Sequence, residues 1–238
     1  MLIAAAVCPH PPLLIPAAIG AAASDPPPAL CAVTGACDAA VRALAAAGPD
    51  LIAVVGGGPA SREYGPGAAG TLAAYGVPVT VGEGEPVLPL SLTVGRWLLG
   101  RSGIGTGPQV LLQAVDQQAP AGDCIKLGTA TAGRAPRVAL LAMGDASARR
   151  ARDVEGAPDP QAQDYDDEVA EALAAADARW LGRLDATADR ELMVAGRAAW
   201  QVLAGAAAGT RMCGRLLCMA SPYGVTYLVA SWRETGAG

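Results

Sequence analysis

The chain has a single histidine, His10, among 238 residues. A metal centre needing two histidines from one copy of the chain is therefore excluded, and no choice of alignment changes this. Phenylalanine is absent and aromatics make up 4% of residues, so a core has to be assembled from Ala, Val, Leu and Ile. Much of that apolar content is alanine, which buries little area per residue. There is one lysine, Lys126. The 17 Lys and Arg are outnumbered by 22 Asp and Glu, for a net charge of −5. Binding to nucleic acid phosphates needs clustered cations. The nearest cluster here is Arg149, Arg150 and Arg152, which acidic residues follow closely, as in a solvated loop. Nucleic acid is not an expected partner.

The six cysteines, at positions 8, 31, 37, 124, 213 and 218, include no CxxC pair. They are too sparse for a disulfide scaffold, so reduced thiols and a cytoplasmic location are expected. Residues 1–8 are apolar but lack the basic segment and the length of a secretory leader. No apolar run of membrane-spanning length is free of Gly, Pro or charge, so no membrane partner is expected. The bias toward Ala and Arg is that of a GC-rich, bacterial genome.

With 52% hydrophobic residues, the chain is long enough to bury a substantial core. Apolar runs at 2–7, 51–55, 77–81, 124–127 and 137–143 read as strands, and the stretches 211–220 and 225–232 as a closing pair around Pro222-Tyr223-Gly224. Residues 29–47, 90–99, 161–176 and 188–208 read as helices, the third an acidic surface helix. Residues 149–160 read as a polar loop. Strands alternating with helices predict one α/β domain over 1–238, a three-layer α/β/α arrangement around a mostly parallel or mixed central sheet. Ligands of such sheets bind at loops beyond the carboxyl ends of strands. Here those loops are 9–16, 56–65 and 144–152.

Two stretches carry a family resemblance. One is Cys8-Pro9-His10-Pro11-Pro12-Leu13-Leu14-Ile15-Pro16, directly after the first strand. The other starts at Gly144-Asp145-Ala146-Ser147 and passes Asp159-Pro160, Tyr165, Val169, Leu184-Asp185 and Gly196. It ends in Ser221-Pro222-Tyr223-Gly224-Val225-Thr226-Tyr227. In this order and spacing they resemble the catalytic subunit of class III extradiol ring-cleavage dioxygenases, the LigB-like family with its Memo-like branch. The resemblance is weakest over residues 60–135.

The resemblance implies a ferrous ion held by two His and one Glu, with open positions for a catechol-type substrate and dioxygen. It also implies a further His as acid/base. Position by position, His10 matches the first metal His. Gly58 or a neighbour stands where the second is expected. Ala148 stands in the acid/base position. Val194 takes the place of the metal Glu, and the nearest carboxylate, Glu191, is almost one turn away.

Gly, Ala and Val offer a metal no donor. The expectation is a degenerate site, with His10 its one retained ligand position and no metal or other cofactor. Fe(II) enters if Glu63, Asp145, Glu191 or Cys8 act as replacement ligands, or if a partner subunit supplies the missing ones.

Each candidate residue has a plain reading beside a functional one. His10 is either a donor to a bound small molecule or an imidazole packed in a Pro-rich loop. Asp145 orients His10 or binds a substrate hydroxyl, or else caps its own turn. Gly56-Gly57-Gly58 with Ser61, Arg62 and Glu63 either cradles a phosphate through backbone N–H groups or makes a tight turn. Arg62 is also a candidate partner for a carboxylate. Ser147 and Tyr223 are candidate ligand contacts. Cys8 is a nucleophile with His10 as base, or a small apolar filler.

Four functions stay open. The leading one is a metal-free family member that binds a small molecule or a protein. The others are an enzyme with rebuilt chemistry around His10 and Asp145, an active dioxygenase with replaced ligands, and an assembly module forming a homo-oligomer.

Overall fold

The computed structural model describes residues 1–20, 25–103, 107–150 and 159–236. The strands are β1 (Leu2–Cys8), β2 (Leu51–Gly58), β3 (Arg62–Tyr64), β4 (Gly70–Thr71), β5 (Thr80–Val81), β6 (Gln109–Asp116), β7 (Val138–Met143), β8 (Met212–Ala220) and β9 (Tyr227–Glu234). The helices are α1 (Pro28–Ala46), α2 (Leu90–Arg101), α3 (Ala121–Ala132), α4 (Pro160–Ala175), α5 (Ala178–Leu181), α6 (Ala186–Leu192) and α7 (Arg197–Ala206).

Seven strands form one sheet in the order β3-β6-β2-β7-β1-β9-β8. The central β6, β2, β7 and β1 run parallel, while β3 is antiparallel to β6 and β9 to both β1 and β8. Every residue of β1, β2 and β7 is buried. This is why these segments read as unbroken apolar runs and not as alternating ones. One core layer packs Val7, Val55 and Leu140 under α3, α4 and α7; the other packs Ala6, Val54 and Leu141 under α1 and α2. The chain is thus an α/β protein with a mixed sheet between helical layers. Strands β4 and β5 form a separate two-stranded ribbon.

By length and composition α1 is apolar enough to cross a membrane, although Gly35, Asp38 and Arg42 interrupt it. In the fold its buried residues Leu30, Val33, Cys37, Ala40, Val41 and Leu44 form a stripe at helical spacing against the sheet.

Four expectations are corrected. Residues 124–127 lie inside helix α3, not a strand. Short apolar runs are ambiguous in sequence, and here the helix is required by its partner. A Cβ on Gly128 would overlap the Val202 carbonyl of α7, and one on Gly205 would overlap Ile125 of α3. The two helices therefore cross at backbone contact. The strand that does exist nearby, β6, was not anticipated. The helix expected over 188–208 is broken into α6 and α7, because Met193 turns left-handed at φ 55° and Val194 N–H returns to the Asp189 carbonyl at 2.8 Å. The glycines at 56–58 belong to β2 and are not a loop, and of 77–81 only β5 is strand. Most of the polar loop expected at 149–160, Arg152 included, lies outside the described residues.

Candidate functional site at the carboxyl edge

The parallel strands end together. β1 delivers His10, β2 ends at Gly58, and β7 leads into Gly144-Asp145. Because β9 runs the opposite way, the β8–β9 turn with Tyr223 falls on the same edge.

The His10 and Asp145 loops are tied directly. The His10 backbone N–H donates to Asp145 Oδ1 at 2.8 Å, and the Gly144 N–H donates to the Cys8 carbonyl at 2.9 Å. The imidazole is buried, and its Nδ1 lies 3.8 Å from Asp145 Oδ1. That nitrogen is buried without a hydrogen-bond partner among the described residues. Asp145 therefore does not cap its own turn; it fixes the backbone of the His10 loop. Burial, and then the Asp145 carboxylate, push the neighbouring Tyr227 phenol above its ordinary value.

The segment from Asp145 to Ala148 is laced on both sides. Ala195 N–H donates to the Asp145 carbonyl at 3.1 Å and Ala148 N–H to the Leu192 carbonyl at 3.0 Å. Ala146 N–H donates to the Thr226 carbonyl and Thr226 N–H to the Ser147 carbonyl, both at 2.9 Å. At Gly144 an added Cβ would overlap the Gly196 Cα, and at Gly196 it would overlap the Trp200 ring. The loop thus sits tightly on the start of α7.

Two buried acids, both overlooked in the sequence, hold this layer from below. Asp166 of α4 accepts the Ser147 N–H at 2.9 Å, the Ser147 hydroxyl at 2.8 Å and the Thr226 hydroxyl at 2.5 Å. Its position places it on the apolar stripe with Ala162, Val169, Ala170 and Leu173, a signal visible in the sequence. Asp189 of α6 pairs with Arg197 and accepts the Tyr165 hydroxyl at 3.2 Å. Arg197 also donates to the carbonyls of Gln117 and Ala119 at 2.6 and 3.0 Å. Burial pushes the Asp189 carboxyl up to about 6, against the opposing pull of Arg197. Burial, and then Asp189, raise the Tyr165 phenol.

The remaining candidates are placed as follows. Ser147 is fully buried and its hydroxyl is committed to Asp166, which corrects the expectation of a ligand contact there. Tyr223 is 65% exposed with a left-handed backbone at φ 67°. Met193, on the segment bonded to the other side of the same loop, is 59% exposed at φ 55°. A Cβ at Gly56 would stand 2.5 Å from Ser91 of α2, whose hydroxyl donates to the Gly57 carbonyl at 2.7 Å. Gly56, Gly57 and Gly58 pair with Ala114, Val115 and Asp116 of β6. The glycines admit a helix and their backbone serves the sheet, which corrects the phosphate-cradle reading.

Ser61 Oγ accepts the Asp116 N–H at 3.0 Å, and Arg62 stacks over Tyr64 at 5.0 Å. Glu63 on the edge strand β3 holds Arg134 at 3.0 Å. Strand β3 lies four positions from β1, roughly 19 Å at ordinary strand spacing, so Ser61, Arg62 and Glu63 do not converge on His10. Glu191 shares a surface depression with Asp164, Tyr165 and Glu168. Cys8 is buried in the α1-side core.

A ferrous ion does not fit this donor set. Among the described residues no three His, Cys, Asp or Glu side chains are grouped to hold a metal. His10 has Asp145 beside it, and the other three expected positions are Gly58, Ala148 and Val194.

Among the solved structures similar to the chain is that of uncharacterized protein JW3007 from Escherichia coli K12, with a TM-score of 0.57 at 13% identity. The match covers 97% of this chain and 99% of that one. The likeness is one of fold. No family model matches the chain, and no curated protein matches it.

Proposed function

We propose that the chain is a metal-free member of the LigB-like extradiol dioxygenase family, which uses its carboxyl-edge site to bind a small hydroxylated molecule without cleaving a ring. The observation that carries this reading is the His10–Asp145 pair, kept in place by a 2.8 Å backbone bond where the remaining metal and acid/base positions are Gly58, Ala148 and Val194. A lone imidazole and one carboxylate cannot supply the several good donors that ferrous iron needs. They can still pair with a ligand hydroxyl, the carboxylate as acceptor and the imidazole as donor or acceptor. The left-handed, exposed Tyr223 and Met193 give further support. Strained non-glycine backbone persists where the surroundings enforce it, and it clusters at binding sites.

The test is anaerobic calorimetry with catechol on metal-free protein, paired with oxygen uptake after addition of ferrous salt. The expected result is saturable catechol binding that is lost in His10→Ala, with oxygen uptake no higher than that of ferrous salt alone. Ferrous-dependent oxygen uptake that disappears in His10→Ala would contradict the proposal.

A further inference from the structure

A second candidate site lies on the opposite side of β1 from the α7 layer, between α1 and the two short 3-10 turns Pro12–Leu14 and Pro16–Ala18. A cavity of about 320 Å³ opens there, large enough for about ten groups of the ~30 Å³ a water molecule occupies. Leu13, Leu14, Ile19 and Leu30 supply apolar walls.

Helix α1 carries two stripes. One packs on the sheet. The other, Cys31, Thr34, Gly35 and Asp38, follows helical i, i+3, i+4, i+7 spacing and faces the cavity. Gly35 is the telling residue. It sits in mid-helix, where glycine is unfavourable relative to almost any other residue. A Cβ there would meet nothing within 4 Å, so no close approach of backbone demands it. What glycine does preserve is the open floor of the cavity.

At one end Arg101 of α2 gives its Nε and Nη2 to Asp38 at 2.8 and 2.9 Å. The guanidinium stacks over Trp97 at 5.0 Å. A guanidinium has five donors in a fixed fork, so the N–H groups on Nη1 are not used by Asp38. Apolar walls with a few fixed polar groups at one end are the usual make-up of a small-molecule site.

We infer that this cavity binds a small, mainly apolar molecule of about ten heavy atoms that presents an oxygen acceptor, such as a carboxylate, to Arg101. This site is separate from the His10–Asp145 site and does not depend on the function proposed for it.

Octanoate, with ten heavy atoms, is the probe. Calorimetric titration of the full chain is expected to give saturable binding of one octanoate per chain. Gly35→Leu should weaken binding at least tenfold without lowering the melting temperature, since leucine favours the helix and fills the floor. Independently, saturating octanoate should slow alkylation of the exposed Cys31, read on its own peptide, by threefold or more. Non-saturable binding, equal affinity in Gly35→Leu, or unchanged Cys31 alkylation would overturn the inference.

Discussion

His10 and Asp145, 135 residues apart, are joined by the His10 N–H to Asp145 Oδ1 bond of 2.8 Å. The carboxylate that leaves β7 thereby sets the path of the loop leaving β1. Asp145→Ala removes a charged acceptor from a half-buried amide, and a loss of about 1–2 kcal/mol is expected. Asp145→Asn, which keeps an acceptor oxygen, should recover most of it. Urea unfolding of the three proteins checks this; equal midpoints for wild type and Asp145→Ala would show that the tie contributes nothing.

Asp166 has a larger role, because three donors from two chain segments end on it. Its removal leaves the Ser147 N–H and hydroxyl buried and unpaired, while the Thr226 hydroxyl keeps the Ser221 hydroxyl at 2.9 Å; a cost of roughly 3–5 kcal/mol is expected. Ser147→Ala deletes only one hydroxyl and should cost about 1 kcal/mol. The ordering Asp166→Ala far below Ser147→Ala in denaturant midpoint is the expected outcome, and similar midpoints would contradict it.

Asp189 makes stability depend on pH. Burial raises its carboxyl from 3.8 to about 6 in the folded chain, so the folded state holds this proton more tightly than the unfolded state does. The contribution favours folding at low pH, declines as pH rises from about 4 to about 6, and is gone above that. Stability of the wild type relative to Asp189→Asn should therefore fall across this window, by at most about 1.4 kcal/mol per pH unit for one proton. A difference that stays flat or rises between pH 4 and 6.5 would contradict the assignment.

The seat of the site on α7 depends on two glycines meeting. Gly144→Ala places a Cβ on the Gly196 backbone, which cannot move aside as a flexible side chain would. A loss of about 2–3 kcal/mol is expected, at the upper end for overpacking. Gly35→Ala, with open space at its Cβ, should instead be stabilising by a few tenths to about 1 kcal/mol. Thermal unfolding of the pair checks the contrast.

Strands β1, β2 and β7 were legible in the sequence because they are buried on both faces and lack polar residues; the fourth central strand, β6, was not, since Gln109, Gln113 and Asp116 interrupt its apolar run. The β8–β9 pair was legible from its Pro222-Tyr223-Gly224 turn. What the sequence concealed was set by tertiary contact. Helix α3 looked like a strand over 124–127, and its glycine contact with α7 is visible only in the fold. Helix α6 ends at Met193 because the segment that follows bonds back to Asp189 and across to Asp145, while its residues alone would continue a helix. At the site, His10, Asp145 and the loop positions were readable from strand ends. Asp166, Asp189 and Arg197 were passed over as members of surface or apolar helices, although their buried-face positions could have marked them. Glu63 and Arg62 looked close to the site in sequence, but β6, β2 and β7 stand between β1 and β3 at the sheet edge.

On the function proposed above, the carboxyl edge does not bind iron. Protein purified without oxygen and without a histidine tag should be assayed for metal, and then titrated with ferrous ion beside His10→Ala. Substoichiometric metal as purified and no difference between the two titrations are expected. One equivalent of iron bound by the wild type and lost in His10→Ala would contradict the proposal.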